Sequence, residues 1–168
     1  MFRTIPGYRN DYSVSKTGKV QGPRKVLKQG TTEKGYKVLE VINDQGDAKK
    51  VKVARLLALA WIPNPNPNEC IYVDHINGIR DDNRVENLRW IDPTCNSLNN
   101  RGVGCYKTGT KEHPWRAKIC VGGEVINLGC FDTEAEGSAA ARELRNCILD
   151  IRLRALYYQD NSRSPSFC

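Results

Sequence analysis

In the first third of the chain, apolar positions come in short runs punctuated by glycine. That pattern predicts strands over Tyr12–Ser15, Val20–Gln21, Tyr36–Ile42 and Lys49–Val53. Asp44-Gln45-Gly46-Asp47 reads as a turn into the basic strand that carries Lys49, Lys50 and Lys52. The period then changes. Leu56, Leu57, Leu59, Ala60 and Trp61 make the segment Ala54–Trp61 apolar almost all round, which predicts a buried helix stopping at Pro63. Residues 63–69 alternate Pro with Asn, and because each Pro fixes φ and lacks an N–H, an extended spacer is expected after the β-rich module of residues 1–62. Within residues 63–101 the expected order is strand Ile71–Asp74, a polar loop, strand Leu88–Ile91 and helix Pro93–Asn100, with Asp92 as its N-cap.

Residues 102–150 predict three strands, Gly104–Lys107, Trp115–Val121 and Val125–Phe131, and a helix from Thr133 to Asp150. Thr133 and Glu136 have the spacing of a capping box. Arg116 and Lys118 alternate with Ala117 and Ile119, so one sheet face is basic and the other apolar. Trp115 and Phe131 are expected in the core. Residues 151–168, with Arg152 and Arg154, read as a polar tail that frays. The expected class is α+β, in several small domains.

Charge sharpens this division. Residues 1–63 hold thirteen Lys/Arg against five Asp/Glu (+8), residues 64–100 three against six (−3), and residues 101–168 ten against eight (+2), which sums to the net +7. An acidic centre between basic ends suits a nucleic-acid partner held by its phosphates. The longest apolar run, Leu56–Ile62, falls far short of the roughly 18 residues of a membrane span, and no basic-then-apolar leader opens the chain, so a cytoplasmic protein is expected. Seven cysteines occur without one C-x-x-C pair, which argues against a structural zinc site; most are expected to be reduced core residues.

The chemistry concentrates in Tyr72–Asn100. One of only two histidines, His75, directly follows Asp74; a loop dense in Asp and Asn comes next, then Asn87-Leu88-Arg89-Trp90, then Asn96 on the expected helix. A polar loop between two strands would also be rich in Asp and Asn. But an acid, an imidazole and a carboxamide together are the parts for hydrolysing a phosphodiester with one divalent metal. Imidazole changes charge near neutral pH and suits a general base. Carboxylate and carboxamide oxygens suit Mg²⁺, with Mn²⁺ as a substitute, rather than zinc.

The order Asp74-His75-Ile76-Asn77-Gly78, Asp82-Asn83-Arg84, Asn87-Leu88-Arg89-Trp90 resembles the core of HNH endonucleases. The resemblance implies a ββα-metal core with His75 as general base, Asp74 and Asn96 as metal ligands and Asn87 pinning the loop. Asp81, Asp82 and Asn83 are expected to shape that loop. Arg80, Arg84 and Arg89 are expected on DNA phosphates, although Arg89 equally suits stacking on Trp90. Where many members carry a third-position His this chain has Asn96, as phage-type homing endonucleases do. The segment with Ile5-Pro6-Gly7-Tyr8, Thr17-Gly18-Lys19-Val20 and Arg55-Leu56-Leu57 resembles the module that precedes the core in those enzymes, with Ala54 where members often place His. Gly102-Val103, Trp115-Arg116-Ala117-Lys118-Ile119, Leu128-Gly129, Phe131-Asp132-Thr133 and Ala139-Ala140 resemble an Apetala-type DNA-binding domain, which implies that Arg116 and Lys118 face DNA. Two functions follow from the resemblance. One is a site-specific endonuclease of double-stranded DNA; its single Asp74-His75/Asn96 set, with no heptad pattern or long apolar helix face for a dimer seam, predicts a monomer that nicks one strand. The other is a DNA-binding regulator whose core no longer cuts, which the intact Asp74, His75, Asn87 and Asn96 disfavour.

Overall fold

A computed structural model describes residues 1–100, 104–108 and 112–158. The protein is a small mixed α/β fold with three helices and several small sheets among these residues. It divides into two compact units, Met1–Ile91 and Asp92–Cys168.

In the first unit, β1 (Phe2–Thr4), β2 (Ser13–Ser15) and β3 (Val20–Gln21) form one antiparallel sheet. A second is built from β4 (Gly30–Thr31), β5 (Lys37–Ile42) and β6 (Ala48–Lys52). Helix α1 (Val53–Trp61) follows at once, and its Leu56 and Leu57 are fully buried with Ile5, Val14, Val20 and Val41. A third pairing joins β7 (Tyr72–His75) to β8 (Leu88–Ile91), and Leu88 sits in the same core. Strands β1 and β4 carry no apolar alternation, since every residue in both is exposed, so they have no sequence signature.

The Pro-Asn tract corrects an expectation. Instead of an extended spacer it folds into consecutive turns. Asn64 Oδ1 accepts the Asn66 N–H at 3.1 Å, Asn66 Oδ1 accepts the Asn68 N–H at 3.3 Å, and Asn64 Nδ2 donates to the Cys70 carbonyl at 2.8 Å. Asn side chains bond the backbone two residues on, and proline's fixed φ favours the same turns.

The second unit contains α2 (Pro93–Asn100), the antiparallel sheet β9 (Cys105–Lys107), β10 (Trp115–Val121) and β11 (Glu124–Phe131) in the order β11-β10-β9, and α3 (Glu134–Tyr158). Ala117 and Ile119 are buried with Ala141 while Arg116 and Lys118 are exposed, as the alternation requires. Phe131 packs on that core, and a bulge shifts the register between Ala117 and Lys118. Thr133 and Glu136 cap α3 reciprocally, Thr133 N–H to Glu136 Oε2 at 3.1 Å and Glu136 N–H to Thr133 Oγ1 at 3.2 Å. Helix α3 does not end at Asp150. It continues to Tyr158, carrying Arg152 and Arg154 within it, because Arg152 bonds Asp92 and Arg154 pairs with Asp150 one turn back. Gly102, Val103 and positions 159–168 of the expected tail lie outside the described residues.

Cysteine burial is narrower than expected. Cys70 and Cys95 are buried, but Cys130 and Cys147 are exposed. No helix among the described residues is long and apolar enough to cross a membrane.

Candidate active site

The β7–β8 register sets Asp74 opposite Arg89 and His75 opposite Leu88. Arg89 engages Asp74 Oδ2 through both Nε (2.9 Å) and Nη2 (2.8 Å), an ion pair that orients the carboxylate. Arg89 is therefore a carboxylate partner here, and the cation over the Trp90 ring, at 4.6 Å, is Arg55.

Between the strands, the loop is tied down by Asn87. Its buried side chain accepts the Asn77 N–H on Oδ1 at 3.0 Å and donates from Nδ2 to Asn77 Oδ1 (3.0 Å) and the Asp82 carbonyl (2.8 Å), while its carbonyl accepts the Ile76 N–H at 2.8 Å. A carboxamide serves here because only it offers a donor and an acceptor side by side. Gly78 takes the left-handed φ of 74° that the turn after His75 needs. Arg84 forks onto Asp82 with two 2.8 Å bonds. Arg84 holds the Asp82 carboxyl down at about 2 against the opposing effect of burial, and Asn77 adds a further bond. Arg84 is thus occupied within the loop.

His75 is 6% exposed, and its Nε2 lies 3.1 Å from Asn83 Oδ1. Asn83 Nδ2 donates to the Asp81 carbonyl at 3.3 Å, so its oxygen must face the ring. A carbonyl oxygen only accepts; Nε2 therefore carries the hydrogen and Nδ1 is left as the basic atom. Asn83 is itself braced. Gly18, at φ 81°, lies so close that a Cβ there would stand 3.1 Å from Asn83 Cβ, and Lys16 accepts the Val85 N–H at 3.0 Å. Sequence reasoning treated Asn83 as a loop-former. Its fixed place in the Asp82-Asn83-Arg84 run was the available signal, but nothing linear marks it as the partner of His75.

Tyr36 stands beside the histidine, with ring centroids 6.0 Å apart. Lys52 Nζ lies over the same tyrosine at 3.7 Å and Arg80 Cζ at 5.3 Å, and Arg80 also donates to the Lys34 carbonyl at 3.0 Å. Burial first, then the nearby Arg80 and Lys34 charges, push the Lys52 amine below its ordinary range. Lys49 reaches Asp47 at 4.0 Å, and Lys50 sits opposite Glu40 in the register.

Asn96 belongs to the second unit. Helix α2 is capped by buried Asp92, whose Oδ1 accepts the Cys95 N–H at 2.6 Å and whose Oδ2 accepts from Arg152 Nη2 at 2.6 Å. Asp92 O also accepts the Asn96 N–H at 3.0 Å. Burial alone would raise the Asp92 carboxyl; the Arg152 and Cys95 hydrogen bonds outweigh it and hold the carboxyl below its usual range. The Cys95 thiol, buried and beside that carboxylate, is pushed up to about 12 and is chemically quiet. Asp92→Ala should cost about 1–2 kcal/mol through the lost cap alone. Because the folded carboxyl is depressed, Asp92 contributes stability at neutral pH that is lost as pH falls through the depressed value. Urea unfolding of wild type and Asp92→Asn should therefore converge as pH falls below the ordinary carboxylate range; a stability gap that stayed constant would refute the role of the Asp92 charge.

On the outer face of β10, the Arg116 guanidinium is raised further by hydrogen bonds to Cys130 and then Tyr106, and Lys118 lies 5.0 Å over the Tyr106 ring.

No family model matches the chain. Over 104 residues it is 34% identical to the uncharacterized HNH endonuclease L245 of Acanthamoeba polyphaga mimivirus, covering 61% of this chain and 29% of that protein. Over 105 residues it is 32% identical to DNA endonuclease I-HmuI of Bacillus phage SP01, covering 61% of this chain and 59% of that protein. The chain thus spans well under two thirds of these relatives. A solved structure of DNA binding and cleavage by the HNH homing endonuclease I-HmuI matches with a TM-score of 0.51 and 32% identity, over 59% of this chain and 56% of that one. Relatives and fold together support the HNH homing endonuclease family.

Proposed function

We propose that this chain, whose relatives are HNH endonucleases, is itself a metal-dependent, site-specific DNA endonuclease that acts as a monomer and nicks one strand. The observation that carries the reading is the His75 ring, held by Asn83 with Nδ1 as its basic atom, at the end of the strand that carries Asp74 and next to a loop pinned by Asn87. His75 Nδ1 takes a proton from water, the water oxygen attacks the phosphorus, and the P–O3′ bond breaks to release the 3′ oxygen.

The donor set fits a hard divalent cation. Asp74 brings a carboxylate whose Oδ2 is oriented by Arg89, and Asn96 on α2 brings a carboxamide, both of them hard oxygen donors. Asp74 and Asn96 would hold one Mg²⁺ or Mn²⁺, which when bound neutralises charge on the phosphorane and stabilises the leaving oxygen. The exposed face with Arg116, Lys118 and Tyr106 would lie on DNA, as the resemblance to an Apetala-type domain suggests. Lys49 and Lys50 on β6 would add phosphate contacts.

A single set of Asp74, His75 and Asn96 attacks one phosphodiester per docking event, whereas a double-strand cut needs a second set, usually from a two-fold dimer. Incubated with Mg²⁺ and supercoiled plasmid carrying phage DNA, the protein should yield open circle first and linear DNA late. Immediate linear product from a sedimenting dimer would overturn the monomeric nicking reading; intact plasmid would favour a DNA-binding regulator instead.

A further inference from the structure

Within the first unit, the face around Tyr36 has a charge arrangement that folding alone does not explain. Lys52 and Arg80 both stand against one half-buried tyrosine ring, at 3.7 and 5.3 Å, and Lys34 belongs to the same group through its carbonyl bond from Arg80. Among the described residues, none of these three cations has a carboxylate within ion-pairing distance, whereas Arg84, Arg89, Arg152 and Arg154 all do. Like charges brought together repel, and an aromatic face offsets only part of that, about 0.5–1 kcal/mol at an exposed site. Burial first, and then the Arg80 and Lys34 charges, depress the Lys52 amine. An anion seated among the three would turn the repulsion into attraction.

Position decides which anion. The same Tyr36 ring adjoins His75 at 6.0 Å between centroids, so whatever occupies the cluster lies next to the basic imidazole. The β5–β6 register extends the group outward: Lys52 pairs with Val38 and Lys50 with Glu40, which puts Lys52 and Lys50 on one face of β6, two residues apart. Lys52 is the member of this face that meets the Tyr36 ring beside the histidine, while Lys50 has Glu40 opposite it.

We propose that Tyr36, Lys52 and Arg80, with Lys34, form a clamp for a backbone phosphate of the DNA strand that is cut, adjacent to the phosphate at His75. Lys52 and Arg80 supply the charge. Tyr36 is a positioning residue whose ring holds both cations beside His75. The proposal rests on the nuclease reading only for the identity of the strand; the clamp itself is a phosphate site.

The test uses the full chain and a labelled DNA duplex in excess chelator, so that binding is measured without cutting. Lys52→Gln and Arg80→Gln should each weaken binding and lower the slope of log affinity against log salt by about 0.9, the loss of one phosphate contact. Lys25→Gln removes an equal charge from an exposed loop of the same unit and should leave that slope close to wild type. Tyr36→Leu should weaken binding several-fold, and Tyr36→Phe, which keeps the ring, should restore most of it. Wild-type slopes in Lys52→Gln and Arg80→Gln would overturn the clamp, as would an equal drop in Lys25→Gln. The two readings fail separately. A protein that shows the expected slopes but never cuts with Mg²⁺ retains the clamp and loses the nuclease; one that cuts while the slopes stay fixed does the reverse.

Discussion

Alanine at His75 removes cleavage while leaving DNA affinity within a few-fold. As the proposed general base the imidazole would act on the attacking water in the transition state and add little to ground-state binding, so the loss should fall on rate, by roughly 10²–10⁴. That range corresponds to about 3–5 kcal/mol of barrier. Stability should fall as well, since the ring is buried and bonded to Asn83, and removing it leaves the Asn83 oxygen without its donor. The two effects separate when single-turnover nicking and duplex binding are measured well below the melting temperature. A His75→Ala protein that nicked at the wild-type rate would remove this residue from the mechanism and leave the regulator reading standing.

Asp74→Ala and Asn96→Ala each abolish metal-dependent nicking, and excess chelator does the same to the wild type. Charge neutralisation by a divalent ion is worth several kcal/mol, so a loss of about three orders of magnitude is expected from either change. The variants differ in their side effects. Asp74→Ala leaves the partly buried Arg89 guanidinium without its carboxylate and should also lower the melting temperature. Asp74→Asn removes charge with less change of shape and gives the cleaner comparison. Nicking that persisted in chelator, or Asn96→Ala at wild-type rate, would rule out the proposed ligand set.

Much of the fold was legible along the chain because its elements follow simple periods. Alternation over Trp115–Val121 foretold which side chains of β10 are buried, and the Thr133–Glu136 spacing foretold a reciprocal cap that the hydrogen bonds reproduce. The N-cap at Asp92 was equally readable, because an acid before proline and an apolar-polar helix has few other uses. Elements without a hydrophobic signature were missed: β1 and β4 are exposed throughout and owe their existence to pairing with β2 and β5. The helical end of α3 was missed for a related reason. Arg152 and Arg154 interrupt residues 151–158 just before a polar stretch, and what holds them is an ion pair to an acid sixty positions earlier in the chain.

The candidate site divides the same way. The resemblance to an HNH core, carried by the order and spacing of this block, singled out Asp74, His75, Asn87 and Asn96, where residue types alone left a polar loop open. Tertiary structure alone decided how each is held: Asn83 on the histidine with Gly18 behind it, Arg89 on Asp74, and Arg84 forked onto Asp82 at the surface. It also gathered Lys52 from a strand and Tyr36 and Arg80 from two loops around one ring. The physical reason is range. Caps, alternation and turns are set by neighbours a few residues apart, which the sequence displays directly, whereas the partners of a buried or charged side chain are set by which surfaces the core brings together.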